Sequence, residues 1–343
     1  MSGAATAPIA PLAPEAPWLA PQIEQLRRAR AANRFPTGLL IHDERGAGGQ
    51  ALARFAAQLA LCREPDTPCG RCRDCRMFAA AQHPDFIEVH PLEDSKYIRI
   101  EQVRELSEQL VLTAHAGGAT VALLSPADSM NANAANALLK SLEEPRPGVT
   151  LILVSATPSR MPATILSRCL RLRVTAPARA VSVAWLTCVR GPGPWSTVLD
   201  VLGEAPFEAL AADAAALAQL KAETDRSLSD ALAGRMDIPA TAERWARAES
   251  LGLRLACLET WITARIEGAV GAPRQSLELR SSAHLPESAS DMNIAVLLRL
   301  LDGLYELRRL RLTAVNRSLA LEQLLWQLPR ARQRGAARAG VER

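Results

Sequence analysis

Between Gly38 and Val174, apolar runs of strand length alternate with stretches in which apolar residues recur every three or four positions. The strand candidates are Gly38–His42, Asp85–His90, Thr120–Leu124, Thr150–Ala156 and Leu170–Val174. Such alternation predicts an α/β arrangement around a mostly parallel sheet, because a helical crossover is what returns a chain to a parallel neighbour. The run Val149–Val154 is almost continuously apolar, so it is expected at the centre, covered by helices on both faces. A first helix is expected over 18–32. Beyond Thr175 the pattern changes. Breakers at Thr175–Ala178 and Gly191–Pro194 are followed by purely helical spacing: Leu251, Leu255, Leu258 and Ile262; Ile294, Leu297, Leu301 and Leu304; Leu321, Leu324, Leu325 and Leu328. These stripes predict three amphipathic helices of a bundle, with packing as their role.

Composition agrees with a helix-rich protein of more than one domain. The chain has 343 residues, 48% of them hydrophobic but only 4% aromatic, so its cores must be built from Ala, Leu, Val and Ile. Forty basic against 36 acidic side chains leave a net charge of +4, too little to declare a nucleic-acid or membrane partner. No stretch approaches the roughly 18 apolar residues of a spanning helix. Residues 2–17 form an Ala/Pro tract without the basic start and apolar core of a signal peptide, so a cytoplasmic location is expected.

The seven cysteines are an odd number with four crowded together, which argues for a metal site in a reducing compartment and against a disulfide framework. Cys62, Cys69, Cys72 and Cys75 form C-x6-C-x2-C-x2-C. The close pairs let sulfurs converge on one ion across a tight turn that Gly70 is free to make, and Arg63, Arg71, Arg73 and Arg76 would offset the thiolate charge. Structural zinc is the preferred reading, against an iron–sulfur cluster or unligated thiols. The position four residues past Cys75 is Ala79, where ferredoxin-type spacing asks for another cysteine. Cys169, Cys188 and Cys257 are isolated and read as buried small side chains.

After the first strand, Asp43-Glu44-Arg45-Gly46-Ala47-Gly48-Gly49-Gln50 leads into a helix, the setting of a phosphate-binding loop. If Gly48 is the second glycine of that motif, Gly49 stands at the lysine position, Gln50 at the Ser/Thr position and Asp43 at the first glycine. The lysine that neutralises phosphate and the hydroxyl that ligates magnesium are both missing, and Asp43 and Glu44 would repel a triphosphate. The strand Thr120–Leu124 ends in Ser125 and Pro126 where hydrolysis would need two acids. Asp128 lies beyond them and is a weak substitute. Both halves of the apparatus are gone together, as in a retired nucleotide site, and no bound ATP is expected.

Asn136-Ala137-Leu138-Leu139-Lys140-Ser141-Leu142-Glu143-Glu144-Pro145, the strand Leu151–Ala156 with Thr157-Pro158, and Ile165-Leu166-Ser167-Arg168-Cys169 together resemble the AAA+ clamp-loader family of bacterial DNA polymerase III. The cysteine segment after the first helix, Pro17-Trp18-Leu19 and Asn316-Arg317 add to that resemblance, which runs from Pro17 to about Leu328. It implies a flexible tract over 1–17, an AAA+ module over 18–175 with the zinc segment at 62–75, a small helical lid over 176–215, an all-α collar domain over 216–328 and a basic tail over 329–343. It also implies a heteropentamer with motor subunits and a delta subunit that acts on a sliding clamp and primed DNA. Polymerase activity would lie in other subunits of the holoenzyme, and no intrinsic activity is expected here.

By the same resemblance Arg168 is an arginine presented to the nucleotide of a neighbouring subunit, where a guanidinium forks onto phosphate oxygens. Thr157 falls at the family's sensor position with no γ-phosphate to sense. Arg160 and Arg171 lack the motif, while Lys140 and Glu144 belong to the same signature, although a solvated helix face explains them equally well. The tail arginines Arg330, Arg332, Arg334, Arg338 and Arg343 are read as solvated. The alternatives are an active AAA+ ATPase, which needs Lys at 49 and acids at 125 and 126, and a zinc-dependent DNA-binding module.

Overall fold

The structure is a computed structural model that describes residues 16–44, 46–64, 68–92, 95–111, 118–270, 293–310 and 316–331. Most of the Ala/Pro tract, Arg45 and the tail arginines from Arg332 onward lie outside the described residues. The chain divides into two compact units, Met1–Pro177 and Ala178–Arg343.

Among its described residues the first unit holds five parallel strands: β1 (Gly38–Asp43), β2 (Phe86–Val89), β3 (Thr120–Leu124), β4 (Val149–Ser155) and β5 (Leu170–Val174). Their order is β2-β3-β4-β1-β5, so β4 is the middle strand and every one of its residues is buried. The side-chain period of two explains the two covered faces. Leu40, Ala122, Leu124, Leu151 and Leu153 point to one face. There they join Val103, Leu106 and Leu110 of α4 (Ile100–Val111) and Ala134, Leu138 and Leu142 of α5 (Ala132–Glu143). The first three helices are α1 (Ala20–Ala31), α2 (Gly49–Leu61) and α3 (Arg73–Ala79); α2 packs on β1, β3, β4 and α1. A one-turn helix α6 (Ala163–Leu166) leads into β5.

Local chemistry sets the helix ends. Asn131 caps α5, its side-chain oxygen accepting from the Ala134 amide at 2.8 Å, and Pro145 follows the last turn. The expected single helix over 18–32 begins instead as a 3-10 turn at Pro17–Leu19, because Pro21 has no amide to give the turn below and is tolerated only in the first turn of α1.

The second unit contains only helices among its described residues: α7 (Arg179–Arg190), α8 (Trp195–Leu202), α9 (Pro206–Ala211), α10 (Ala214–Leu232), α11 (Ile238–Arg247), α12 (Leu251–Val270), α13 (Ile294–Leu310), α14 (Arg317–Leu325) and α15 (Leu328–Ala331). The predicted stripes form one buried cluster that includes Leu258, Ile262, Leu297, Leu304, Leu321 and Leu325 together with Trp245. One expectation needs correction. The repeat from Leu321 to Leu328 is two helices, separated at Trp326 and Gln327, with Pro329 in the first turn of α15 where its missing amide leaves no bond unmade. Asn316 caps α14 by accepting from the amides of Ser318 and Leu319 at 3.1 and 3.3 Å.

Arg179 and Asp200 meet at 2.6 Å with side chains 9% and 6% exposed, and Glu204 binds the other end of the same guanidinium. No described helix is long and apolar enough to cross a membrane.

Candidate functional site

The loop after β1 is closed by its own side chain. The amides of Ala47, Gly48, Gly49 and Gln50 all face the Asp43 carboxyl, as the amides of a phosphate loop face an anion. Burial raises the pKa of Asp43, and those four amides pull it back only in part. Its Oδ1 is buried without a hydrogen-bond partner. A Cβ built on Gly49 would stand 2.4 Å from the Asp43 Cβ and 2.6 Å from its Cγ, so the lysine position is glycine for lack of room.

Two further contacts hold the loop. The Trp18 indole donates to the Ala47 carbonyl at 2.7 Å, which gives the Pro17-Trp18-Leu19 segment a task next to the loop. Glu44 accepts from Arg173 Nε of β5 at 2.8 Å, so its charge is neutralised from the side.

Gln50, at the magnesium-ligand position, donates to Glu88 of β2 at 3.1 Å. Arg54 of α2 reaches both Glu88 oxygens at 3.0 and 3.1 Å, and His90 Nε2 approaches one of them at 3.1 Å. The other imidazole nitrogen, Nδ1, is 2.7 Å from the Ser125 carbonyl, so both ring nitrogens face acceptors and favour the protonated ring. The hydrogen bond to Glu88 raises the His90 pKa. Burial pushes Glu88 upward, but His90 and Arg54 outweigh it and its pKa falls. Sequence reading missed this network. Its signal was thin: an acidic and an aromatic base two residues apart on one strand.

Arg168 lies at the other end of the sheet. Leu39 is level with Leu170 and Asp43 with Val174, so Arg168 precedes the start of β5 while the phosphate-type loop follows the end of β1. The five strand steps between Gly38 and Asp43 span about 17 Å at ~3.3 Å each. Arg168 is therefore separated from the loop of its own chain by about the length of that strand. Its Nη2 binds Glu143 Oε1 of α5 at 2.7 Å, and its Nη1 donates to the Thr164 carbonyl at 2.9 Å and Ser167 Oγ at 3.3 Å.

The neighbouring positions are quieter. Arg171 donates to the Leu166 carbonyl at the end of α6, and Arg160, Thr157, Lys140 and Glu144 are exposed. Asp128 is half-buried, with Oδ1 lacking a partner.

The four clustered cysteines converge. All four Sγ atoms lie within 4.8 Å of one another, and Cys69 and Cys75 are 4.0 Å apart, close to the edge of a tetrahedron with ~2.3 Å metal–sulfur bonds. Three backbone amides point at sulfur: Cys69 to Cys62 at 3.4 Å, Cys72 to Cys69 at 3.3 Å and Cys75 to Cys72 at 3.3 Å. Cys62 closes α2, Cys72 caps α3, and Gly70 takes φ +66° in the turn between them.

Amides of Cys72 and Arg71 lower the Cys69 thiol to about 6, whereas burial raises Cys62 and Cys75. The donor set fits a divalent ion that prefers thiolates. Arg63 is committed to Asp74 at 2.9 Å, and Asp74 is also 3.7 Å from His83 Nε2. Of the isolated cysteines, Cys257 is buried and Cys169 half-buried, but Cys188 is exposed, on the outer side of α7, which corrects the expectation that all three are interior.

Fold and site together define a parallel α/β module of P-loop type whose loop lacks the working residues, followed by a helical unit. A protein-family model described as "DNA polymerase III, delta subunit" matches residues 19–178. The DNA polymerase III subunit delta' of Pseudomonas aeruginosa is 33% identical over 296 residues, 84% of this chain and 90% of that protein. The Escherichia coli protein of the same name is 36% identical over 172 residues, 50% of this chain and 52% of its own length. The tau/gamma subunit of Haemophilus influenzae is 32% identical over 146 residues, 42% of this chain and 21% of that protein. The chain belongs to the DNA polymerase III delta' subunit family, in the clamp-loader group.

Proposed function

We propose that this chain serves as the delta' subunit of a clamp loader that binds no ATP itself and offers Arg168 to the ATP site of an adjacent motor subunit. Its setting is a heteropentamer with motor subunits and a delta subunit that loads the sliding clamp onto primed DNA in the cytoplasm. Residues 18–175 act as the AAA+ module, 176–215 as its lid and 216–328 as the collar domain. Polymerisation is left to other subunits of the holoenzyme.

The observation that carries this reading is the placing of two features at opposite ends of β1. One end has a loop filled by Asp43, and the other has an arginine about 17 Å away that no group of its own loop can use. Arginine acts on a phosphate it touches, so the phosphate that Arg168 serves must come from another chain. The cysteine cluster supports structural zinc. Four thiolates would close the coordination shell and tie the end of α2 to the start of α3, leaving no position open for substrate.

The test is equilibrium binding of labelled ATP to the isolated chain, joined to hydrolysis by the reconstituted loader. The expected result is no binding at micromolar ATP and a loss of DNA-stimulated hydrolysis with Arg168→Ala in an intact complex. Micromolar binding with turnover would return the loop to service, and unchanged hydrolysis would remove the trans arginine.

A further inference from the structure

Resting on the trans-arginine reading, we propose that Glu143 is a positioning residue that holds Arg168 folded against its own subunit until a phosphate in the neighbouring site displaces it. Both terminal nitrogens of the guanidinium are engaged within the chain. Nη2 binds the Glu143 carboxylate at 2.7 Å, and Nη1 binds the Thr164 carbonyl and Ser167 hydroxyl at 2.9 and 3.3 Å. Forked recognition of a phosphate uses these same nitrogens, so the carboxylate and an incoming phosphate oxygen compete for one donor.

The restraint is anchored on the side of Glu143. This residue ends α5, whose Leu138 and Leu142 are buried beneath the sheet, and α5 packs on α6, the turn that ends two residues before Arg168. The backbone of Glu143 is held by that helix, so its carboxylate moves only by rotation of its own short side chain. The Arg168 side chain, whose guanidinium stands on three methylenes from a surface turn, has the longer reach and is the partner that swings out.

The strength suits a latch that opens. Side chains of Arg168 and Glu143 are 36% and 48% exposed, so water screens the pair and its hold on the equilibrium is small, worth at most about fivefold. A phosphate with greater charge outcompetes it. Glu143→Gln keeps the shape and removes the charge, and neither residue is buried, so the variant folds.

The experiment uses the reconstituted loader with clamp and primed DNA, comparing wild type, Glu143→Gln, Arg168→Ala and the double variant for kcat and KM of ATP hydrolysis. The expected result is a kcat raised about two- to fivefold by Glu143→Gln with KM unchanged, and a double variant no faster than Arg168→Ala alone. A Glu143→Gln loader that hydrolyses at the wild-type rate or slower overturns the restraint, as does a gain that persists without Arg168. If Arg168→Ala itself changes nothing, the trans-arginine reading falls and takes the restraint with it. If Arg168→Ala slows hydrolysis while Glu143→Gln is silent, the restraint alone is lost.

Discussion

Asp43 and Gly49 compete for one small volume: a methyl carbon on Gly49 would stand 2.4 Å from the Asp43 Cβ. Restoring the motif lysine by Gly49→Lys is therefore expected to destabilise the first unit by about 1–3 kcal/mol and to confer no ATP affinity. Adding Asp43→Gly, which vacates both the carboxyl and the clashing carbon, should recover most of that loss. Thermal melts of the single and double variants check the steric part, and ATP titration checks the rest. Full stability of Gly49→Lys alone would show that the loop yields easily.

The Arg54–Glu88–His90 network makes a pH-dependent contribution whose sign follows from the shifts. His90 has a raised pKa, so its share is fully present below the unfolded value and is lost as pH rises through the folded one. Glu88 has a lowered pKa, so its share is present above the unfolded value and is lost as pH falls through the folded one. The stability gap between wild type and His90→Gln should therefore narrow as pH climbs from mildly acid to alkaline. Chemical denaturation at several pH values measures it, and a gap that widens toward alkaline pH would refute the assignment.

Removal of Arg179 would strand the Asp200 carboxylate in the interior of the second unit. Because both side chains are nearly buried, Arg179→Ala should cost about 3–5 kcal/mol, while Arg179→Ala combined with Asp200→Asn should cost less than the single change. Denaturant midpoints of the three proteins decide it. A double variant that loses as much as Arg179→Ala alone, or more, would mean that the stranded Asp200 charge is not the source of the loss.

Metal analysis should find about one zinc per chain and no visible iron–sulfur absorbance if the four thiolates hold a structural zinc. Cys75→Ser should lose the metal and lower the unfolding midpoint, since Cys75 is buried at the start of α3. A brown protein, or a Cys75→Ser chain that keeps its zinc, contradicts this.

The strands and the cysteine cluster were legible because their information is local. Five apolar runs fell in or beside the five strands, and cysteines with two residues between them can point at one ion across a turn whatever lies elsewhere. The missing lysine was legible for the same reason, but its cause was not. Sequence places Asp43 beside the loop as a repelling charge, whereas only the backbone path reveals that its carboxyl sits among the loop's amides. Glu88 and Glu143 were out of reach too, since each meets its arginine through strand register or helix packing that no spacing rule encodes. The break at Trp326 was hidden because leucine periodicity runs straight through a two-residue turn.

β1 is bonded along both edges, to β4 on one side and β5 on the other. Main-chain bonds on both sides fix the rise per residue of such a strand, so the offset between its two ends follows from its residue count. The loop that follows β1 and the arginine that precedes β5 are thus spaced by a ruler made of paired main chain.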